Sequence, residues 1–375
     1  MTGELSETFS IAIERVPVLI SFCTAGTVCG LIIGPAILKR VSAGKLLLAS
    51  TLFLGLSQLL FTSSHTLCAG VIWRFVGGVS SGLVASVMWH LTFHDIAKKY
   101  FQAMVAVLMS SRPLAVALGV PIAGLLAGYT HWQIPMICLA LLCLASGLGL
   151  FSIYPKSSES EERSSINNLS LLYPYKKALQ APYALTYYLG TTINRMSYFG
   201  FYTFCGLWFI KHYNLELSQI SLSLFFIGLG ECLVNFFTGT IIKKWGHRLT
   251  FVSSVIISSV ILPLYIYGKQ PLNIAIALIA IFMILDRIYS MVLIVSIPDM
   301  FNFQGDKTAL GSLNTLTAWG AMTLISALQS QFTELWGITN IENLLIICFL
   351  LGTALVSFVQ IKTTFKLKKL SCYNT

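Results

Sequence analysis

Six charged residues lie inside long apolar stretches, where charge is costly. They are Arg74, Arg112, Arg195, Arg287, Glu231 and Asp286. A charge at the centre of a bilayer costs at least about 2.5–3.5 kcal/mol, so such residues persist where they are paired or reached by water. The surplus of two positive charges favours an anionic solute, because guanidinium groups bind carboxylates in a forked geometry. The chemistry that these residue types predict is solute binding and proton transfer.

Arg195 lies about halfway along one apolar stretch, and polar residues around it repeat at helical spacing. The residues that share this face are Thr191, Asn194, Arg195, Tyr198 and Tyr202. A polar face at membrane depth either binds solute or forms hydrogen bonds between helices, and both interpretations remain open.

Asp286 and Arg287 lie midway along another stretch. Neighbouring residues on a helix point about 100° apart, so we expect Asp286 not to neutralise Arg287 and each to meet another helix. Asp286 either pairs with Arg195 or acts as a protonatable carboxylate.

Glu231 begins a second polar stripe, with Asn235 and Thr238 at helical spacing below it. An isolated carboxyl group in hydrocarbon favours its neutral form, so Glu231 is the rival candidate for proton coupling. Arg112 carries no sequence motif, and structural and solute-facing roles are equally open for it.

The composition places these residues in a membrane. The chain has 375 residues, of which 56% are hydrophobic and only 10% charged, with a mean hydropathy of +0.79. Soluble chains carry about 25% charged residues. The net charge of +10 comes from basic residues between the apolar stretches rather than from one patch, which argues against nucleic-acid binding.

Apolar stretches of about 20 residues predict membrane-spanning helices, because membrane strands are shorter and alternate in polarity. The fold class is therefore all-α and polytopic. The predicted spans, eleven in number, are 16–38, 45–63, 68–91, 103–128, 133–153, 182–210, 219–242, 249–268, 272–298, 309–332 and 341–361.

Lysine and arginine residues are distributed unequally between alternate loops. Seventeen fall on one side and three on the other, which predicts an external N-terminus and a cytoplasmic C-terminus in the inner (cytoplasmic) membrane. The Ser-rich segment 154–181 is predicted to be a cytoplasmic linker between a five-span bundle, 1–153, and a six-span bundle with its tail, 182–375.

Enzyme signatures are weak. Gly78–Gly82 satisfies G-x-S-x-G, but it lies inside a predicted membrane helix, where small residues favour close helix packing. No metal or nucleotide motif occurs in the sequence, and the cysteines are predicted to act as small apolar residues. We expect no enzymatic activity, no metal and no cofactor.

Two short cytoplasmic turns occupy equivalent places in the two halves. Their motif residues are Gly34, Lys39 and Arg40 in the first turn, and Gly239, Lys243, Lys244, Gly246 and Arg248 in the second. The second turn resembles the G-x-x-x-D-R-x-G-R-R signature of the major facilitator superfamily, and the first is a degraded copy. Arg74–Gly78 is similar to the Arg-x-x-x-Gly motif of the family's fourth helix, and Leu118–Gly124, followed by His131-Trp132, to a motif of the fifth.

Further matches resemble one branch of that superfamily, the drug/proton antiporters that include arabinose, sugar and nucleoside efflux permeases. They are Phe201–Phe204, Ile227–Gly230 and Ser312–Gly320. The resemblance implies two helical bundles that rock around a site at the midplane of the lipid bilayer. It also implies that the protein is a monomer and that its partners are a small-molecule solute and protons. It also places Arg195, Asn194, Thr191, Tyr198, Arg287 and Arg74 at the solute site, with Asp286 and Glu231 coupling protons.

The sequence departs from the family pattern in two places. The motif's Asp is replaced by Leu38 and by Lys243, which either alters the cytoplasmic gate or leaves these lysines as topology signals alone. Residues 1–15 resemble the loop after the family's first helix. The expectation is that this helix lies upstream of Met1 or that the gene is a decayed copy.

Three functions follow from these observations. The leading hypothesis is a secondary active transporter that exports a small organic solute in exchange for protons. The second is an anion exchanger without proton coupling, which the arginine surplus favours. The third is a non-transporting or decayed membrane paralogue.

Overall fold

The fold is helical throughout the part of the chain that the structure describes. This computed structural model describes residues 2–11, 17–153, 173–215, 217–267, 270–301 and 308–371, so most of the predicted linker 154–181 lies outside the described residues. Regular structure in these ranges is helical without exception, which confirms the all-α prediction.

Twelve α-helices form the described chain. They are α1 (Thr2–Phe9), α2 (Pro17–Ile37), α3 (Ala43–Thr62), α4 (Leu67–His94), α5 (Phe101–Leu114), α6 (Val120–Tyr129), α7 (Gln133–Ile153), α8 (Tyr173–Leu179), α9 (Ala184–Tyr213), α10 (Leu217–Tyr267), α11 (Leu272–Met300) and α12 (Thr308–Ser371). A 3₁₀ turn, Lys98–Tyr100, precedes α5, and a π-helical turn, Ala115–Gly119, joins α5 to α6.

Eight described segments are long and apolar enough to cross a membrane. They are Val18–Ile37, Ala43–Thr62, Leu67–His94, Phe101–Tyr129, Gln133–Leu150, Leu222–Tyr267, Leu272–Ile297 and Thr339–Thr363. A span requires about 20 residues, so the 46 residues of Leu222–Tyr267 suffice for two passes. The backbone of Gly246 breaks this segment, with φ 78° and ψ 158°. This conformation favours glycine, which explains why the motif has glycine at the turn.

Helix α9 is not among the eight apolar segments, although it coincides with the predicted span 182–210. Its polar face lowers its hydropathy. Helix α12 contains both predicted spans 309–332 and 341–361, and the total of eleven stays a prediction.

The chain divides into two compact units that are discontinuous in sequence. Unit 1 comprises Met1–Asp95, Ile122–Lys177 and Gly305–Trp319, and unit 2 comprises Ile96–Pro121, Ala178–Gln304 and Gly320–Thr375. The assignment of the two predicted bundles to 1–153 and 182–375 stays a prediction.

In unit 1, helices α2 and α4 approach each other at backbone distance. A Cβ atom added at Gly30 would overlap the carbonyl oxygen of Val79, and one added at Gly82 would overlap that of Thr27. Gly26, Gly34 and Gly78 make equally close approaches in the same interface. Small residues let helix backbones pack closely in lipid, where there is no hydrophobic force between helices. The packing interpretation of Gly78–Gly82 is therefore confirmed.

Candidate functional site

Three side chains from two helices of unit 2 contact one carboxylate, that of Glu231. Glu231 lies in α10 and is fully buried. Its two oxygens accept hydrogen bonds from the hydroxyls of Tyr198 and Tyr202, which lie one turn apart in α9. From α11, the Nε atom of Arg287 lies 3.4 Å from the Glu231 Oε2 atom. Glu231 is therefore paired, and the expectation of an isolated carboxyl group was wrong.

Arg287 also binds its neighbour in sequence. Its Nη2 atom donates to the Asp286 Oδ2 atom at 2.8 Å. The expectation that Asp286 would not neutralise Arg287 was wrong, because the arginine side chain has enough rotatable bonds to turn back along the helix. The expectation that Arg287 meets another helix is confirmed by its approach to Glu231.

Arg112 extends the cluster from α5. Its guanidinium carbon lies 4.0 Å from the centroid of the Phe199 ring and 5.3 Å from those of Tyr198 and Tyr202. Its Nη1 atom is buried without a hydrogen-bond partner among the described residues. Pro113 and the π-helical turn Ala115–Gly119 follow directly, and π turns are often found at functional sites.

Arg195 lies on α9 at the edge of the same cluster. It is 4% exposed and interacts electrostatically with Arg287, Asp286 and Tyr187. The other two residues of its predicted face bind protein groups. The Asn194 amide donates to Thr353 Oγ1 at 2.8 Å, and Thr191 Oγ1 donates to the Tyr187 carbonyl at 2.8 Å. The Asn194 contact joins α9 to α12 and favours the interpretation of hydrogen bonds between helices, whereas the Thr191 hydrogen bond lies within α9 and supports neither interpretation.

Two further polar residues continue the Glu231 stripe along α10. Asn235 and Thr238 are both fully buried. The amide oxygen and nitrogen of Asn235 have no hydrogen-bond partner among the described residues, whereas Thr238 donates to its own helix. The stripe predicted from sequence thus lies inside unit 2.

The remaining predicted site residue, Arg74, belongs to unit 1. Its guanidinium carbon lies 4.1 Å from the Phe61 ring centroid, and its Nη2 atom lies 3.8 Å from the Met136 sulfur. These contacts hold Arg74 against apolar groups.

The predicted gating residues lie at helix ends and turns. Lys39, Arg40, Lys243, Lys244, Gly246 and Arg248 are exposed. Gly34 packs against Ser86, and Gly239 lies near Gln102, whose Oε1 atom would be 3.5 Å from an added Cβ. Nearby in unit 1, Trp89 Nε1 donates to Thr315 Oγ1 at 2.6 Å.

Sequence reasoning missed a contact between a buried carboxylate and an exposed histidine. The Glu342 carboxylate in α12 is 4% exposed and lies 3.0 Å from His212 Nε2 at the end of α9. The predicted topology places both residues on the external side of the membrane. This shared location was the signal in the sequence that could have identified the pair. Among the described residues, no three His, Cys, Asp or Glu side chains lie close enough together to hold a metal ion.

Long apolar helices that enclose a paired, ionisable cluster are typical of a polytopic membrane protein. The sequence profile of the Major Facilitator Superfamily matches residues 1–323. The chain belongs to this superfamily.

Two known proteins are similar to the chain. The uncharacterized MFS-type transporter YceJ of Bacillus subtilis (strain 168) is 26% identical over 188 residues, which are 50% of this chain and 47% of that protein. The match therefore spans about half the length of this relative. The crystal structure of the human organic anion transporter MFSD10 (TETRAN) aligns over 95% of this chain and 89% of its own, with a TM-score of 0.70 and 15% identity. At that identity the likeness shows the fold.

Proposed function

We propose that this protein is a secondary active transporter that moves a small organic solute across the cytoplasmic membrane by alternating access, coupled to protons. The observation that carries the proposal is the buried cluster of Glu231, Arg287, Asp286, Tyr198 and Tyr202. Buried charges at membrane depth are retained where they bind solutes or relay protons. Family membership favours a transporter over an enzyme.

In this proposal Glu231 and Asp286 are the proton-coupling candidates, and Arg195, Arg287 and Tyr198 contact the solute. Arg74, which stacks on Phe61, is proposed to respond to conformational change rather than to touch the solute. The protein is proposed to act as a monomer in the inner membrane with a cytoplasmic C-terminus.

The direction of transport rests on the sequence resemblance, which predicts efflux by antiport with protons. A second candidate, anion exchange, is favoured by the guanidinium groups of Arg112, Arg195 and Arg287 in one unit.

Proteoliposomes that contain a pH-sensitive dye test the proposal. We expect addition of a solute from a panel of arabinose, uridine and para-aminohippurate to move protons in the wild type. Glu231→Gln or Asp286→Asn should abolish the proton movement, while solute exchange at equal pH persists. Unchanged proton movement in both variants would exclude these carboxylates, and solute exchange without proton movement in the wild type would favour the anion exchanger. A wild type that transports no solute from a wider panel would favour the non-transporting paralogue.

The topology is tested separately. A reporter that is active only outside the cytoplasm, fused after Thr375, should stay silent, because the basic loops predict a cytoplasmic C-terminus. Strong reporter activity would overturn the topology.

A further inference from the structure

The groups around Glu231 form a ready-made site for a carboxylate. They are the hydroxyls of Tyr198 and Tyr202, which donate to Glu231, and the guanidinium of Arg287, whose Nε atom forms an ion pair with Glu231 at 3.4 Å. We call these three groups the carboxylate cradle. All three belong to α9 and α11, whereas Glu231 belongs to α10. The cradle therefore does not depend on the Glu231 side chain for its position, and an anion of similar shape satisfies the same donors.

The charges around the cradle favour an additional anion. From α5, the Arg112 guanidinium carbon lies 5.3 Å from the ring centroids of Tyr198 and Tyr202. Its Nη1 atom is buried without a hydrogen-bond partner among the described residues. Arginine is not deprotonated in proteins, so a bound anion beside the cradle is a group that satisfies this donor.

The walls of the cradle are aromatic. The Tyr198 and Tyr202 ring centroids lie 5.2 Å apart, and Phe199 carries the Arg112 guanidinium on its face. Aromatic rings pack well against planar apolar groups. A small organic carboxylate with a planar body matches both the donors and the walls.

We propose that Glu231 is an internal stand-in for the carboxylate of the solute, and that a small, planar organic carboxylate takes its place in the cradle once Glu231 is protonated. This inference rests on the proposed transport function and names its substrate class. The step is an exchange of partners. A proton from the aqueous solution neutralises a Glu231 oxygen, the hydroxyls of Tyr198 and Tyr202 then donate to the carboxylate of the solute, and this carboxylate takes over the ion pair with Arg287.

The exchange fixes the sign of the coupling. The anion binds in the cradle when Glu231 is protonated. Proton binding and anion binding therefore strengthen each other by the same factor. Such a carrier moves proton and anion in the same direction. Proton–anion symport therefore replaces the antiport that the sequence resemblance implies.

Other charged and titratable groups face Glu231 from each neighbouring helix. From α9 these are Tyr198 and Tyr202, from α11 Arg287 with its partner Asp286, and from α5 Arg112. Asp286 forms a separate ion pair with Arg287. The proposed exchange therefore takes place at Glu231, and Glu231 is the residue that binds the proton.

Calorimetry on the purified full chain tests the inference with benzoate as the probe and benzamide as its uncharged isostere. We expect wild-type benzoate affinity to fall about tenfold for each pH unit above neutrality, as linkage to one proton requires. Titrations in two buffers of different ionisation enthalpy should show the uptake of about one proton per benzoate. Benzamide should bind at least tenfold more weakly.

The decisive variant is Glu231→Gln, which fixes a neutral side chain of similar shape. It should bind benzoate independently of pH, at least as tightly as the wild type does at its lowest pH. Tyr198→Phe should weaken benzoate binding by about three- to tenfold, because one donor is lost. Glu342→Gln, the same change at another buried carboxylate, should keep the wild-type pH dependence.

Three results would each overturn the inference. They are pH-independent benzoate binding in the wild type, weaker binding in Glu231→Gln than in the wild type, and the absence of benzoate binding from both proteins at every pH. Binding is measured without transport. A protein that binds as described but moves no protons in proteoliposomes would contradict the proposed function alone.

Discussion

The helices of unit 1 and those of unit 2 associate through different chemical groups. In unit 1, α2 and α4 meet through glycines whose missing side chains let one backbone touch the other. In unit 2, α9, α10 and α11 meet through Glu231, Arg287 and two tyrosine hydroxyls. Glycine packing adds no charge to the bilayer, whereas buried charges are costly even when paired. Under the proposed function, the unit 2 cluster is retained for transport, whereas the α2–α4 interface stabilises unit 1.

The largest expected effect is on transport, from Arg195→Ala. Arg195 is buried beside Asp286 and Arg287, and its removal takes one positive charge from the cluster. Transport in proteoliposomes should fall more than tenfold, while the amount of folded protein changes little. Wild-type transport by a well-expressed variant would show that Arg195 is not part of the site. It would also weaken the contrast between the two units.

The next effect is on stability, from Gly30→Ala in unit 1. The added methyl group overlaps the Val79 carbonyl oxygen, and overpacking of this kind costs about 1–3 kcal/mol. The midpoint of thermal unfolding in detergent should fall by several degrees. Gly124→Ala is the matched control, because its Cβ would have nothing within 4 Å. Equal midpoints for the two variants would mean that the α2–α4 contact is not tight.

The smallest effect concerns a hydrogen bond in unit 1 between Trp89 and Thr315, which are 226 residues apart in sequence. A double-mutant cycle with Trp89→Phe and Thr315→Val should give a coupling free energy of about 1 kcal/mol, the net value of one hydrogen bond. Additive changes in unfolding midpoint would show that the bond contributes nothing to unit 1.

The sequence was sufficient to identify the charged residues within the apolar helices but not to predict how they pair. Hydropathy predicted the helices, and the rarity of charge in apolar stretches identified Glu231, Asp286 and Arg287. Their partners depend on side-chain rotamers and on the register between helices, which a single sequence does not encode. The Asp286–Arg287 pair was wrongly excluded because helical geometry gives the direction of the Cα–Cβ bond, not the position of a guanidinium.

The same limit explains the contacts that were missed. The pair formed by His212 and Glu342 joins two predicted span ends that are 130 residues apart. The stacking of Arg112 on Phe199 has no sequence signature, so the sequence could not predict this contact. The second turn was found from sequence because it resembles a family signature, and the structure shows that one residue of that signature, Gly246, has a backbone conformation that favours glycine.

The most direct test of the central claim compares Glu231→Gln with Glu342→Gln for a solute that the wild type transports. Both substitutions neutralise a buried carboxylate of unit 2, but only Glu231 belongs to the cluster. The measurement is accumulation driven by a pH gradient in proteoliposomes, normalised to folded protein. We predict that Glu231→Gln retains less than about a tenth of wild-type accumulation and that Glu342→Gln retains at least about half. Equal accumulation by the two variants would contradict the assignment of energy coupling to the cluster.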